Sequence, residues 1–306
     1  MMKSDSFGML LAPVRVLIPD RLIITPVDNF KDIVEAYKAV AENGFIHPPI
    51  CQRVIYNSKN EKIREGVKKQ ADIYGLPSTH TIEYSDAESK DEFRSGTGRF
   101  ILGMFNVLYD SRLQWEGWGH EDRIPANTDP VSVIYNGGMI NFGGKSIVQV
   151  DQLSAFFISA LNTWDSLAPE ARKRLLNALY YHQKATAYKW GFEKFTVDYY
   201  AVDAIWRYSV ESGLWNDSNA GHGKRITWMA HILGLYPKPD PAQKKNHPEI
   251  QHICDIRNNL FHEADWGIGN PIDVGFENGV CFTLHRLVKR LIVASVGVQN
   301  QFTESS

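Results

Sequence analysis

The sequence predicts an α+β protein made of two unlike halves: an N-terminal α/β part over residues 1–148 and an all-α helical bundle over 149–300. Two observations predict this. Before residue 150, short β-branched runs alternate with helix-like segments. From about 151 the strand signals fade and long stretches with helical spacing follow one another. Hydrophobic residues make up 43% and aromatics 12% of the 306 residues, enough for packed cores, so an intrinsically disordered chain is excluded. A short tail, 301–306, is expected to be disordered.

The elements follow in order. Val14–Ile18 and Leu22–Thr25 read as strands joined at Pro19-Asp20, a turn-forming pair. Phe30, Ile33, Val34, Tyr37, Val40 and Ala41 share one face of a helix, with Asp28 to cap its start and Gly44 to end it. Asn60–Tyr74 is a second, more charged helix candidate. Arg53–Tyr56, Thr79–Tyr84, Val131–Tyr135 and Ile147–Val150 read as strands, and Phe100–Tyr109, apolar throughout, suits either state. The second half offers Gln152–Asp165, Pro169–Tyr188, Thr196–Ser212, Lys224–Leu233, Pro248–Ala264 and Glu277–Val298 as helices. Pro169 fits a first helical turn, where its missing N–H is no loss. Leu284, Leu287, Val288, Leu291 and Ile292 form one apolar stripe.

Charge bounds the partners. Lys plus Arg number 33 and Asp plus Glu 35, a net charge of −2. Residues 151–306 hold 16 of each sign. A broad positive field for duplex nucleic acid or acidic lipid is therefore excluded. Cys51, Cys254 and Cys281 are too few and too widely spaced for a disulfide scaffold, which suits a reducing compartment. The N-terminus carries Asp5 ahead of a short, Pro-broken apolar run and lacks a signal-peptide pattern. No stretch reaches the ~18 apolar residues of a membrane span. The expected location is cytoplasmic.

The chemically informative segment is Asp255-Ile256-Arg257-Asn258-Asn259-Leu260-Phe261-His262. At about 100° per residue on a helix, Ile253, Ile256, Leu260 and Ala264 form a core stripe. Asp255, Asn258, Asn259 and His262 lie opposite. His262 can exchange a proton near neutrality, and Arg257 can grip a phosphate through paired hydrogen bonds. Asn258 can hold the imidazole in one tautomer. A base and a phosphate clamp suffice for attack of a ribose 2′-hydroxyl on its own phosphodiester, a reaction that supplies its own nucleophile. An Arg followed by a His with four to six residues between is common by itself: Arg225 and His231 are a second such pair. Arg257 and His262 also sit about 140° apart on an ideal helix, so they meet only through the length of Arg, a helix irregularity or a second copy of the helix.

Arg257-Asn258 followed by His262 resembles the signature of HEPN domains (higher eukaryotes and prokaryotes nucleotide-binding): Arg, a polar residue, then His after four to six residues, on a late helix of an all-α domain. Ala178-Leu179-Tyr180-Tyr181 with Ala185, and Tyr199-Tyr200-Ala201-Val202-Asp203, resemble that family's earlier helices. The resemblance covers roughly 150–298. It implies a metal-independent, RNA-cleaving hydrolase without a cofactor that works as a homodimer, serves as a toxin or antiviral-defence effector, and is held in check by an antitoxin or regulatory partner. It casts His262 as general acid/base, Arg257 as phosphate clamp, Asn258 as positioning residue and Asp203 as the carboxylate that orients Arg257. Some family members are non-catalytic binding or scaffold modules, which is the alternative reading.

Other features are set aside. Gly221-His222-Gly223-Lys224 and Ser95-Gly96-Thr97-Gly98-Arg99 lack the spacing of a phosphate loop and read as a helix-leading loop and a turn. His247, His252 and His262 do not form a metal-ligand pattern, and the adjacent His120, Glu121 and Asp122 point different ways on any regular element. Trp115–Gly119 and Tyr180-Tyr181 could stack bases but read first as core or loop anchors. Cys254, far along the helix from His262, reads as a buried thiol rather than a nucleophile. The first half would suit a sensor, a targeting unit or an oligomerisation platform.

Overall fold

The computed structural model describes residues 2–8, 10–39, 41–42, 45–46, 54–56, 62–64, 78–85, 87–115, 124–125, 150–188, 191–215, 220–233, 248–266 and 274–297. In chain order the first half contains β1 (Lys3–Gly8), β2 (Val16–Ile18), β3 (Leu22–Pro26), α1 (Phe30–Ala39), β4 (Ala41–Glu42), β5 (Phe45–Ile46), β6 (Val54–Tyr56), β7 (Lys62–Arg64), β8 (His80–Tyr84), α2 (Lys90–Ser95), α3 (Thr97–Tyr109), β9 (Gln114–Trp115) and β10 (Ile124–Pro125). After a 3-10 turn at Val150–Gln152 come α4 (Leu153–Ser166), α5 (Pro169–Ala185), α6 (Gly191–Glu211), α7 (His222–Ile232), α8 (Pro248–Asn258), a π-helical turn (Asn259–Glu263) and α9 (Val274–Ser295). The architecture is α+β. Every described strand pair is antiparallel, so the first half is a segregated sheet rather than a parallel βαβ alternation.

The main sheet runs β2-β3-β8-β1-β9. Its inner face follows the period of two: Phe7 from β1, Val16 and Ile18 from β2, Leu22 and Ile24 from β3, Ile82 and Tyr84 from β8 are buried. The β2–β3 hairpin turns at Pro19-Asp20, with Asp20 in the left-handed region at φ 59°, a conformation Asp tolerates. The helix read from Phe30 ends at Ala39, and Ala41-Glu42 already pairs as a strand. Lys62–Arg64, placed within a helix by its pattern, is a strand hairpinned to Val54–Tyr56. The strands read at 131–135 and 147–149, and residues 60–61 and 65–74, lie outside the described residues.

Phe100–Tyr109 is helical, and α3 is the buried axle of the molecule. Phe105 lies 6.3 Å from Phe7 of the sheet and 4.6 Å from Phe157 of α4, while Phe100 stacks on Trp164 at 4.7 Å. A Cβ on Gly103 would stand 2.9 Å from Leu179 Cδ1, so the bare backbone lets α5 approach closely. One apolar core therefore runs from Phe7 to Val296. Its edge is also tied: Leu17 N–H donates to Ser154 Oγ at 3.0 Å, and Arg21 pairs with Asp165 at 2.7 Å. The stripe on α9, Leu284 to Ile292, is fully buried, each side chain contributing about 1.5–3 kcal/mol of transfer free energy. The Tyr208 hydroxyl of α6 donates to the Ser295 carbonyl at 2.7 Å and fixes the end of α9.

Candidate functional site

Helix α8 is positioned by Ile250, Ile253 and Ile256, all buried, and by Leu260, partly buried against the same core. Ala264 is exposed rather than on this stripe. The cause is the π-helical turn at Asn259–Glu263, which inserts one extra residue into the helical spiral and rotates everything after it. The turn closes at Ala264, left-handed at φ 55°, whose N–H and that of Asp265 both donate to the Asn259 carbonyl.

This irregularity brings the two key residues together. Arg257 Nη1 lies 2.9 Å from His262 Nε2 and donates to Asn258 Oδ1 at 3.1 Å. Its guanidinium also lies 5.4 Å over the ring of Phe261. Arg carries only donors, so His262 Nε2 must be the acceptor and its proton sits on Nδ1. The ring itself is exposed at the surface.

Asp203 is near but plays another part. Its Oδ1 pairs with Arg225 Nη1 at 3.5 Å, and Arg225 is anchored in turn on the Ala220 carbonyl at 2.5 Å and over the Trp206 ring at 5.5 Å. Arg225, read from sequence only as part of a second Arg–His pair, thus joins the neighbourhood, whereas Asp203 pairs with it and not with Arg257.

His222 belongs to the site and was not foreseen. Gly221 caps α7 and His222 opens it, so the Gly221–Lys224 segment is a helix start. His222 Nδ1 is 2.8 Å from Tyr199 Oη. Partial burial, then the positive charge of Arg257, holds the His222 imidazole below its ordinary value, with Asp203 acting in the opposite sense. Burial, then the charges of Cys254 and Asp203, raises the Tyr199 hydroxyl far above its usual value, so it stays protonated. Burial likewise pushes the Cys254 thiol up to about 11, which makes it an inert structural group.

An aromatic path leads away from Arg257. Phe261 lies 6.3 Å from Tyr200, Tyr200 5.6 Å from Tyr181, and Tyr181 5.5 Å from Tyr180. Tyr180, Tyr200 and Phe261 are 46%, 42% and 39% exposed, while Trp115 is a buried anchor. His247, residues 116–123 and 301–306 lie outside the described residues.

A second polar cluster is the place where the described residues could hold a metal ion: Asp110, His182 and His285 offer ligand atoms within 4.8 Å of one another. Asp198 bonds His182 Nδ1 at 3.1 Å and His285 Nδ1 at 2.8 Å. Burial opposes the Asp198 charge, but His285 and His182 outweigh it and hold the carboxyl at about 2.

Comparison of the chain with protein-family models, curated proteins and solved structures returns no match. Among the described residues, no helix is long and apolar enough to cross a membrane.

Proposed function

We propose that the protein is a HEPN-type endoribonuclease acting as a toxin or antiviral effector, with Arg257 and His262 as its reacting pair. The observation that carries this reading is the 2.9 Å contact between Arg257 Nη1 and His262 Nε2, produced by the π-helical turn on an exposed helix end. π-turns of this kind concentrate at functional sites, because they are less stable than continuous α-helix. In the free chain His262 Nε2 is occupied by the Arg257 guanidinium. A substrate phosphodiester competes for that guanidinium through charge-assisted, paired hydrogen bonds, and so frees Nε2. His262 then takes the proton of the ribose 2′-hydroxyl as that oxygen attacks phosphorus. The bond from phosphorus to the 5′-oxygen breaks, and the leaving oxygen receives a proton from an imidazolium, a role filled in a homodimer by the second His262, which starts the cycle protonated and turned away from its own Arg257. The products are a 2′,3′-cyclic phosphate and a 5′-hydroxyl. Tyr200 and Tyr180 supply stacking surfaces for unpaired bases, consistent with a chain whose net charge gives no broad positive field.

One observation favours the second reading, a binding or scaffold module without catalysis: His262 Nε2 is already engaged within its own chain. A single experiment separates the two. Wild type and His262→Ala are incubated with structured and single-stranded RNA in EDTA, and the ends are typed. Cleavage by wild type alone, leaving cyclic phosphate, supports the enzyme. Equal cleavage by both, or RNA binding without cleavage, supports the module. Co-purification of an antitoxin-like or regulatory partner through the first half is tested by pull-down.

A further inference from the structure

Four helices converge on a second, buried set of ionisable groups. Asp110 is the C-cap of α3, turned out of the helix by a left-handed φ of 46°. His182 comes from α5, Asp198 from α6, and His285 and Lys289 from successive turns of α9. His182 and Asp198 are fully buried, and His285 and Lys289 nearly so. Ionised groups are rarely placed in such a position without a compensating partner for each.

The hydrogen-bond directions expose what is missing. An ionised carboxylate only accepts, so both imidazoles donate to Asp198 from Nδ1–H. Both Nε2 atoms then face the Asp110 carboxylate, at 3.4 Å from His285 and 3.9 Å from His182. Three possible ligand atoms, one from each of Asp110, His182 and His285, converge within 4.8 Å of one another. His182 Nε2 is buried and has no hydrogen-bond partner. Lys289 Nζ, 2.6 Å from Asp110 Oδ1, supplies one positive charge. The two rings stack at 4.3 Å, which holds their Nε2 atoms on the same side.

We infer that Asp110, His182 and His285 form a binding site for one divalent transition-metal ion of the zinc class, with Asp198 orienting both imidazoles and Lys289 competing with the ion for the Asp110 carboxylate. The donor set, two imidazoles and one carboxylate, suits Zn2+ and its neighbours rather than Ca2+ or Mg2+. Separations of 3.4 and 3.9 Å approach the ~3.3–3.6 Å that two ligands span across a tetrahedral ion with bonds of about 2.0–2.2 Å. An outer carboxylate taking the far N–H of each ligating His is the usual support of such ions. Asp110, 18% exposed, provides the entry from solvent. The ion cross-links α3, α5 and α9, and so ties the sheet-bearing half to the helical half. It shares no residue with the reacting pair, and the inference does not depend on the ribonuclease reading.

The test uses the purified full chain, dialysed against EDTA and shown by circular dichroism to be folded, then titrated with CoCl2 and ZnCl2 alone. One equivalent of Co2+ should bind with visible d–d absorption, Zn2+ should displace it, and the melting temperature should rise with metal concentration. The double variant His182→Gln with His285→Gln should lose at least 100-fold in affinity (order of magnitude), and Asp198→Asn about 10–100-fold. Lys289→Met should bind more tightly than wild type. Absence of saturable binding overturns the inference, as does equal binding by a folded double variant, which would place the ion on surface histidines. Should the double variant not fold, unchanged affinity in both Asp198→Asn and Lys289→Met overturns it.

Discussion

Asp203 forms its ion pair with Arg225, across 3.5 Å, and leaves Arg257 to Asn258 and His262. The order of mutational effects on RNA cleavage follows from this. His262→Ala should remove proton transfer and lower the rate about 10²–10⁴-fold. Asn258→Ala removes one neutral acceptor from Arg257 and should cost about 2–10-fold, the equivalent of ~0.5–1.5 kcal/mol. Asp203→Asn, breaking a pair on a half-exposed carboxylate, should change the rate less than Asn258→Ala does. Cleavage assays on the three variants at equal protein concentration check the order. An Asp203 effect as large as that of His262 would restore it as the orienting group of Arg257.

The left-handed Ala264 offers a separate handle on the π-turn. A non-glycine residue at φ 55° carries a strain of about 1 kcal/mol that glycine does not. Ala264 is exposed, so no packing is lost on substitution. Ala264→Gly should therefore raise the melting temperature by about 2 °C and leave the Arg257–His262 contact, and any RNA cleavage, in place. Calorimetry on the two proteins decides this, and a drop in melting temperature would mean that the cap is not left-handed in solution.

Much of this was legible in the sequence, and the exceptions have physical reasons. Pro19-Asp20 between β-branched runs marked the β2–β3 hairpin, and 3.6-residue spacing marked the helices of the second half. The interior strand β1 was missed because Lys3-Ser4-Asp5-Ser6 looks polar, yet Asp5 points inward, its charge met by Arg94 from 89 residues away. Helix α2 was missed although Ser89 and Glu92 carry a capping signature, with Ser89 Oγ accepting the Glu92 N–H at 3.1 Å. Arg257 and His262 were found by motif, but the π-turn that unites them has no period of its own to read. His222 joins the site through tertiary packing of α7 on α8. Asp110, His182, Asp198 and His285 come from four helices, so no spacing could announce them.

Gly98 shows where backbone contact leaves no room for change. A Cβ there would stand 2.7 Å from the Phe93 carbonyl oxygen and 2.8 Å from Trp115 Cζ2. The carbonyl is part of the α2–α3 corner and cannot swing aside as a side chain could. Gly98→Ala should destabilise by about 1–3 kcal/mol, the usual range for overpacking, despite alanine's better helix propensity. Urea denaturation measures the loss, and a stabilised variant would contradict the close approach.

Asp5 gives the fold an acid-sensitive tie. Its carboxylate takes paired hydrogen bonds from Arg94 Nε and Nη2 at 2.7 and 2.8 Å and lies 2.7 Å from Lys90 Nζ. Burial opposes the charge, yet Arg94, Lys90 and the Ser6 N–H outweigh it and hold the carboxyl below its ordinary value. The sign of the linkage follows. A carboxyl depressed in the folded state binds fewer protons than in the unfolded chain, so its contribution is complete above the unfolded value of about 3.9 and is lost as pH falls through the folded value. Asp5→Asn should therefore cost about 3 kcal/mol at pH 7, as removal of one member of a buried pair does. At pH 3 the gap between variant and wild type should narrow, because the unfolded wild-type chain has begun to take up the proton that the folded state still resists. Urea unfolding of both proteins at pH 7 and pH 3 reads this directly. A gap that is the same at both pH values would show that Asp5 acts by shape and hydrogen bonding alone, without its charge.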